Sequence, residues 1–358
     1  MADTTAAKPT KSDVVFGVDL SRGFTEWLTS KNVSLALTTY QVGKLILFGV
    51  KEDGGLWTYN RTIGRCMGLA ADETGFWVTS DTQLIRFETL LQTGQLGPDN
   101  VDALYAPRFS YFTGDLDAHD VVIQADGEPI FANTLFNCVS RPSRSHSFEV
   151  EWIPPFISKL VAEDRCHLNG IAKRDGHLRY ATAVSRSDVF DGWRDHRQDG
   201  GIVLDTKSGE IICSGLSMPH SPRWHQGRLW LHNSGRGEFG YVNMETSVFV
   251  PVAFCPGYLR GLDFIDDNTA VVGLSLPRDN KTFLGLALDA ALADKGILPK
   301  CGLYFVDLTT GAIIHSMEIS GVVTELYDIV ALRSIKKPAL LGPTSTELKR
   351  TLSVPSLD

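Results

Sequence analysis

The chain has 358 residues, 43% of them hydrophobic, and a formal net charge of −8 at pH 7. This acidic balance argues against nucleic acid as a partner, because neutralising phosphates needs a basic surface. No stretch approaches the ~20 consecutive apolar residues of a membrane helix, so we expect no membrane partner, while the apolar fraction is sufficient for a sizeable core.

The two ends of the chain differ in character from its centre. The N-terminal stretch MADTTAAKPTKSD is small and polar and lacks the apolar core of a signal peptide, which predicts a cytoplasmic protein. We expect residues 1–12 to be disordered, 13–333 to form a single domain, and the Pro-, Ser- and Thr-rich residues 334–358 to be a flexible or loosely docked tail. The six cysteines are scattered, as expected of buried thiols in a reducing compartment.

A short helix is predicted before the first repeat, in the string SRGFTEWLTSKN. Ser21 is the candidate N-cap, and Phe24, Trp27 and Leu28 would lie on one face of the helix.

Similar strand-plus-turn segments follow about once every 50 residues, which is typical of the blades of a β-propeller. They begin near Arg65, Asp117, His167, His220, Tyr258 and Glu325. The last repeat supplies only one strand, and the strings VSLALTTY, KLILFGV and LWTYNRTI upstream of the first repeat can complete it. Closure of this kind removes open sheet edges. The sequence therefore predicts an all-β, six-bladed β-propeller closed by N- and C-terminal strands.

Two longer insertions follow the second strand of a repeat, at residues 185–201 and 275–301, and the middle of the second one reads as a helix. Both lie on the face where the first strands begin, so we expect them to cover the axial pocket. Small polar residues end the second strand of every repeat, namely Thr38, Thr79, Asn133, Ser185, Asn233 and Ser275. They suggest a polar ring on that face, although such residues also favour turns.

Three histidines, His119, His167 and His220, stand at the starts of successive repeats. The first strands of all blades begin beside the central axis, so these imidazoles are predicted to converge there. Neutral imidazole is a common ligand of Fe, Zn, Mn and Cu, and the sequence predicts a divalent transition metal site. Glu325 could be a fourth ligand or support the site, as could Asp115 and Asp117. Taken singly, each histidine is more often an ordinary core or turn residue.

Several arginines lie close to the same strand starts or in the insertions. As substrate-binding candidates for an anionic group we take Arg65, Arg186, Arg223, Arg260 and Arg278. Salt bridges between blades explain them equally well. Tyr258 and Asn169 could donate hydrogen bonds to an oxyanion, and together with Glu325 they form the candidate catalytic set. We expect Trp193 and Trp224 to be packing residues.

The strings SLALTTYQVGKL, GDLDAHD, DRCHLNGIA, PHSPRW, NSGRGEFG, GYLRGL and ELYD resemble a bacterial family of conserved hypothetical proteins, predicted propellers without an assigned function. The resemblance extends from about Val33 to Arg333. It implies that His119, His167, His220, Arg223, Arg260 and Glu325 lie in the signature strings of the family, and it supplies no activity.

The sequence thus favours a metal-dependent enzyme acting on a small anionic molecule in the axial pocket, by hydrolysis, isomerisation or lyase chemistry, or oxygenation. One alternative is a non-catalytic propeller that binds a ligand or another protein. A third is a metal-free isomerase or cyclase that uses the histidines as acid and base.

Overall fold

A computed structural model describes residues 16–277 and 284–354 and contains six sheets around a central axis, in which neighbouring strands are antiparallel except for one pair. The strands are, in chain order, β1 (Phe16–Leu20), β2 (Val33–Thr39), β3 (Lys44–Val50), β4 (Leu56–Thr62), β5 (Leu69–Ala71), β6 (Gly75–Thr79), β7 (Gln83–Thr89), β8 (Ala103–Phe112), β9 (Ala118–Ile123), β10 (Pro129–Asn133), β11 (Cys138–Arg141), β12 (Glu149–Trp152), β13 (Leu168–Arg174), β14 (His177–Ala183), β15 (Gly201–Asp205), β16 (Ile211–Leu216), β17 (Pro219–His225), β18 (Arg228–Asn233), β19 (Glu238–Asn243), β20 (Val248–Phe254), β21 (Tyr258–Asp266), β22 (Thr269–Ser275), β23 (Gly302–Asp307), β24 (Ile313–Gly321), β25 (Ile329–Arg333) and β26 (Pro338–Leu340).

These strands form the predicted six-bladed propeller. Blade 1 has the strand order β25-β2-β3-β4 from the axis outwards, blade 2 runs from β5 to β8, blade 3 from β9 to β12, blade 4 from β13 to β16, blade 5 from β17 to β20, and blade 6 from β21 to β24. The innermost strands of neighbouring blades contact each other around the complete ring, from β5 through β9, β13, β17, β21 and β25 back to β5. The expected fold class is therefore confirmed.

Hydrophobic residues fill the spaces between blades. The second strands are packed on both faces, so β2 (VSLALTT) and β22 (TAVVGLS) are buried along their whole length, whereas the outer strands β20 and β24 are partly exposed. One cluster between blades 1 and 2, for example, joins Leu45 and Leu47 of β3 to Phe76, Val78 and Phe87. Packing of this kind explains why apolar runs, rather than strict alternation, mark the inner strands in the sequence.

Strands from both ends of the chain close the ring in blade 1. β25 pairs with β2, with Ile329 opposite Leu37 and Arg333 opposite Val33. Two additional strands extend this closure. β1 adds to the outer edge of blade 6, and β26 adds in parallel to the outer edge of blade 2. The segment predicted as a flexible or loosely docked tail therefore includes a docked strand, in which Ala339 and Leu340 are buried.

The polar ring predicted at the ends of the second strands has a structural role. Three of its hydroxyl groups donate hydrogen bonds to backbone carbonyls of the next blade, from Thr38 to Met67 (2.5 Å), Thr79 to Ala118 (2.8 Å) and Ser275 to Leu326 (3.0 Å). Beside the predicted Asn133 and Asn233, the adjacent hydroxyls do the same, from Thr134 to Leu168 (2.6 Å) and from Ser234 to Leu259 (2.7 Å). These groups join five of the six blade boundaries. The ring holds neighbouring blades together, and these five hydroxyls are already committed to backbone partners.

Two helices stand outside the blades, α1 (Phe24–Lys31) before β2 and α2 (Ala287–Lys295) in the second insertion. Both were expected from the sequence, but Gly23 occupies the N-cap of α1. Ser21 instead accepts a hydrogen bond from the backbone of Ser316 in β24 at 3.1 Å, which connects the N-terminal strand to blade 6. Among the described residues, no helix is long and apolar enough to span a membrane.

Candidate functional site

Local backbone geometry fixes two of the three predicted histidines in the same way. Asp117 and Met218 stand two residues before His119 and His220, and both have a positive φ (51° and 50°). Each turns its carbonyl oxygen towards the ring that follows, and this oxygen lies 2.7 Å from Nδ1 of His119 and 2.8 Å from Nδ1 of His220. The starts of blades 3 and 5 therefore share one motif.

Blade 4 achieves the same result with a side chain. His167 itself has a positive φ of 52°, and its Nδ1 lies 2.7 Å from Oδ2 of Asp164. Each of the three Nδ1 atoms thus faces an oxygen that accepts its proton. In this tautomer Nε2 carries the lone pair of each ring.

The structure brings the three histidines into one buried group at the axis, which we call the histidine cluster (His119, His167 and His220). The ring centroids of His119 and His167 are 4.8 Å apart, with the rings nearly perpendicular. Trp193 stacks on His167 at 4.2 Å, so the insertion at residues 185–201 covers this histidine as a lid. Tyr258 meets the edge of His220 at 5.5 Å.

Burial keeps two of these imidazoles neutral at physiological pH. It lowers the pKa of His119 to about 4, despite the opposing effect of Asp117. Burial, followed by the positive charge of Arg260, lowers the pKa of His220 well below its ordinary value. Because a lone pair on neutral imidazole is what binds a metal or accepts a hydrogen bond, neither ring has to lose a proton before it does so at pH 7.

Asn169, one of the predicted catalytic residues, lies inside the cluster. Its Nδ2 is 3.3 Å from Nε2 of His220, and its Oδ1 accepts a hydrogen bond from Thr182 at 2.9 Å. The amide therefore donates to the lone pair of His220. Within residues 16–277 and 284–354, no three His, Cys, Asp or Glu side chains stand together in an arrangement that could hold a metal ion.

Arg260 and Glu325 form a buried ion pair next to the cluster. Their side chains are only 6% and 5% exposed, and Nη1 of Arg260 contacts Oε1 of Glu325. The guanidinium lies 5.2 Å from the ring centroid of Tyr258 and 4.7 Å from that of Tyr327. Because the partner of Arg260 is itself buried, substitution of Arg260 affects stability as well as any ligand.

The remaining predicted arginines take different positions. Arg65 pairs with Asp115 and is partly exposed. Arg186 is exposed and lines a separate surface pocket with Phe156 and Leu204, so it does not belong to the axial site. Arg278 lies outside the described residues.

Arg223 was predicted to bind the substrate. In the structure its guanidinium binds carboxylates of other blades instead. Its guanidinium binds both carboxylate oxygens of Asp120 at 2.9 and 3.1 Å and contacts Asp328 at 3.3 Å. Asp120 also accepts the backbone N–H of Ile171, and Asp328 accepts that of Leu69. We call Arg223, Asp120 and Asp328 the charged hub. It connects blades 1 to 5 through side chains at the axis.

Three buried polar atoms around the cluster have no hydrogen-bond partner in the described part of the chain. They are Oδ1 of Asp164, Nε1 of Trp193 and the hydroxyl of Tyr327, whose ring lies 5.6 Å from that of His119. Buried polar groups are nearly always hydrogen-bonded, so these three atoms are available to a molecule bound at the cluster. Asp164 and Tyr327 were not predicted from the sequence. The strings DRCH and ELYD contain them, but neither string shows which side chains turn inwards.

Residues 22–341 match a family described as a domain of unknown function, DUF4915. This chain belongs to the DUF4915 family. The resemblance to a family without an assigned function is thereby confirmed, whereas no curated protein matches the sequence at a significant level.

Solved structures similar to this DUF4915 member share little sequence with it. A protein of unknown function from Bacteroides caccae is 12% identical, with a TM-score of 0.51, and the match covers 84% of this chain and 99% of that one. A chain of a nidogen/laminin complex is also 12% identical, with a TM-score of 0.50 and coverages of 85% and 99%. A gluconolactonase from Xanthomonas campestris is 9% identical, with a TM-score of 0.45 and coverages of 80% and 85%. At this level of identity, the similarity shows the fold alone.

Proposed function

We propose that this DUF4915 member is a metal-dependent enzyme that acts on a small anionic molecule at the histidine cluster. The observation that carries the proposal is the common orientation of the three rings. Each Nδ1 faces a carbonyl or carboxylate oxygen, which leaves Nε2 with the lone pair. Metal-binding histidines are usually held in this way, with the second ring nitrogen donating to an oxygen that fixes the ring.

The distance between two of the rings is consistent with one shared ion. For a metal–nitrogen distance of about 2.1 Å, two imidazoles bound through Nε2 have ring centroids roughly 4.5–5.5 Å apart. The centroids of His119 and His167 are 4.8 Å apart. These two residues are therefore the principal ligands in the proposal. His220 can join them once the Asn169 amide releases its Nε2.

The low histidine pKa values favour a ligand role over acid–base catalysis. A general base works best when its pKa is close to the working pH, and a pKa of about 4 makes His119 a weak base at pH 7. Metal binding, by contrast, requires neutral imidazole. This difference is why we place the metal-free isomerase or cyclase below the metalloenzyme.

The other polar groups of the site suit a small bound molecule. A divalent metal at the cluster would polarise a carbonyl or activate water or dioxygen. Nε1 of Trp193 and the hydroxyl of Tyr327 are buried donors that a ligand oxygen would satisfy. Arg260 contributes the cation for an anionic group, and Glu325 holds its guanidinium in place.

Elemental analysis of the protein purified without added metal tests the proposal. We expect about one transition metal ion per chain, its loss on dialysis against a chelator, and its return on addition of the same metal. His119→Ala and His167→Ala should each lower the metal content strongly. The matched control is His177→Ala, because His177 is an exposed residue of blade 4. Absence of stoichiometric metal together with failure to rebind it would refute the metalloenzyme.

Binding of the anion is tested separately by a thermal-shift screen of small carboxylates and phosphates. We expect stabilisation of the metal-loaded protein, weakened in Arg260→Lys, which keeps the charge beside Glu325 but loses the fork of the guanidinium. A pull-down from cell lysate is run beside the screen with the wild type and with Arg260→Lys. If no compound binds and both forms capture the same protein partner, the non-catalytic alternative is correct.

A further inference from the structure

A cavity opens at the end of the axial channel opposite the histidine cluster. It has a volume of about 690 Å³. All six innermost strands contribute to its wall, through segments that follow the cluster residues along the same strands. Val121 to Ile123 follow His119 in β9, and Arg223 and Trp224 follow His220 in β17. The cavity is therefore a distinct site, and the charged hub stands at its inner end.

The wall of this cavity combines apolar side chains with charged ones, which include Asp72, Glu73 and Lys173. Its hydrophobic members include Leu69, Val121, Ala172, Leu262, Ile329 and Val330. A volume between about 300 and 1,000 Å³ with apolar walls and a few polar groups is usual for a small-molecule site. The cavity is thus suitable in size and surface for an organic ligand.

Asp263 contributes a partly buried carboxylate to the wall. Its two carboxylate oxygens accept hydrogen bonds from the backbone N–H groups of Phe264 and Ala331, both at 2.8 Å. Within the described ranges, no lysine, arginine or histidine nitrogen lies within 4.0 Å of this carboxylate. The two lining cations near the opening are bound to backbone oxygens instead, Lys173 to Ile123 and Arg333 to Ile265 and Phe264.

The neighbouring charges do not neutralise Asp263. The cations that act on it electrostatically are Arg223, whose guanidinium is already shared by Asp120 and Asp328, and Arg333, whose guanidinium donates to backbone carbonyls. Neither cation forms an ion pair with Asp263. Burial outweighs the effect of both cations and raises the pKa of Asp263 above its ordinary value.

We infer that this cavity binds a small organic ammonium compound, with its apolar body against the inner strands and its positive charge at Asp263. The ammonium would provide the ion-pair partner that Asp263 lacks among the described residues, and its N–H groups would donate to this carboxylate. A neutral compound of the same shape would gain the apolar contacts alone.

Calorimetric titration with three compounds of similar shape tests the inference. The probes are benzylamine, benzyl alcohol and benzoate. We expect saturable binding of benzylamine to the wild type, with benzyl alcohol and benzoate bound at least tenfold more weakly. Asp263→Asn should weaken benzylamine binding at least tenfold, whereas Asp126→Asn, in an exposed turn of blade 3, should leave it unchanged.

A second variant keeps the test decisive if Asp263→Asn does not fold. Ala70→Trp places a large side chain in the cavity wall and should abolish benzylamine binding without removing a charge. Absence of saturable benzylamine binding, equal affinity for benzyl alcohol, or undiminished binding to Ala70→Trp would each overturn the inference. His119→Ala should bind benzylamine normally, so failure of the metal proposal and failure of this one are distinguishable.

Discussion

The charged hub should contribute strongly to stability, and replacement of Arg223 by methionine tests this. Methionine keeps much of the aliphatic length but removes the charge, which leaves Asp120 and Asp328 buried at 5% and 4% side-chain exposure without a cation. Removing one partner of a buried ion pair costs about 3–5 kcal/mol. For a chain of this size, such a loss corresponds to a decrease in Tm of roughly 4–8 °C.

The measurement is urea unfolding followed by tryptophan fluorescence, with thermal unfolding in parallel. Arg186→Met is the matched control, because Arg186 is exposed, and it should change the free energy of unfolding by no more than about 0.5 kcal/mol. Because Arg223 opposes the effect of burial on Asp328, the pKa of this carboxyl group should rise further in Arg223→Met. The loss of stability should therefore be smaller at pH 5.5, where Asp328 is protonated in the folded state, than at pH 8. A loss below about 1 kcal/mol, or an equal deficit at both pH values, would refute the structural role of the hub.

Further outcomes follow from the closure, the polar ring and the hub. Deletion of residues 1–62 removes three strands of blade 1 and should abolish soluble expression. Truncation after Leu341 retains β26 and should preserve soluble expression. A folded protein without residues 1–62 would contradict the closure of the ring in blade 1. Thr38→Val leaves the Met67 carbonyl without its donor and should lower the free energy of unfolding by about 1–3 kcal/mol. The control Thr82→Val, at an exposed position, should change it by less than about 0.5 kcal/mol. Burial raises the pKa of Asp328 to about 7, well above the roughly 3.9 of an unfolded aspartate. The folded state therefore binds more protons, and the contribution of Asp328 makes stability fall as pH rises from about 4 to about 7. Midpoints of urea unfolding between pH 4 and pH 7 measure how stability depends on pH. If the contribution of Asp328 to stability rises with pH, its pKa is not raised in the folded state.

Much of the architecture could be predicted because it repeats. The spacing of the strand-plus-turn segments defined six blades, and the single strand of the last repeat required partners from the other end of the chain. β25 pairs with β2 as a result. The three histidines could be placed together because each stands at the same point of its repeat. Geometry confirms that His119 and His167 are in contact.

What could not be predicted depends on partners far apart in the sequence. Arg223 was a reasonable substrate anchor by position, but Asp120 and Asp328, which bind it, lie more than 100 residues away in opposite directions. The hydroxyls of the polar ring likewise depend on carbonyls of the next blade. β26 could not be predicted because a strand of three residues in a Pro- and Ser-rich segment has little local signal. It is formed by parallel pairing with β8.

The central claim is that the histidine cluster binds a metal ion. Its most direct test is a crystal structure with anomalous diffraction recorded at the absorption edge of the metal found in the purified protein. We predict one strong anomalous peak within about 2.3 Å of Nε2 of His119 and of His167, with His220 or solvent completing the coordination. Absence of an anomalous peak in the axial channel, or a peak remote from these nitrogens, would contradict the account.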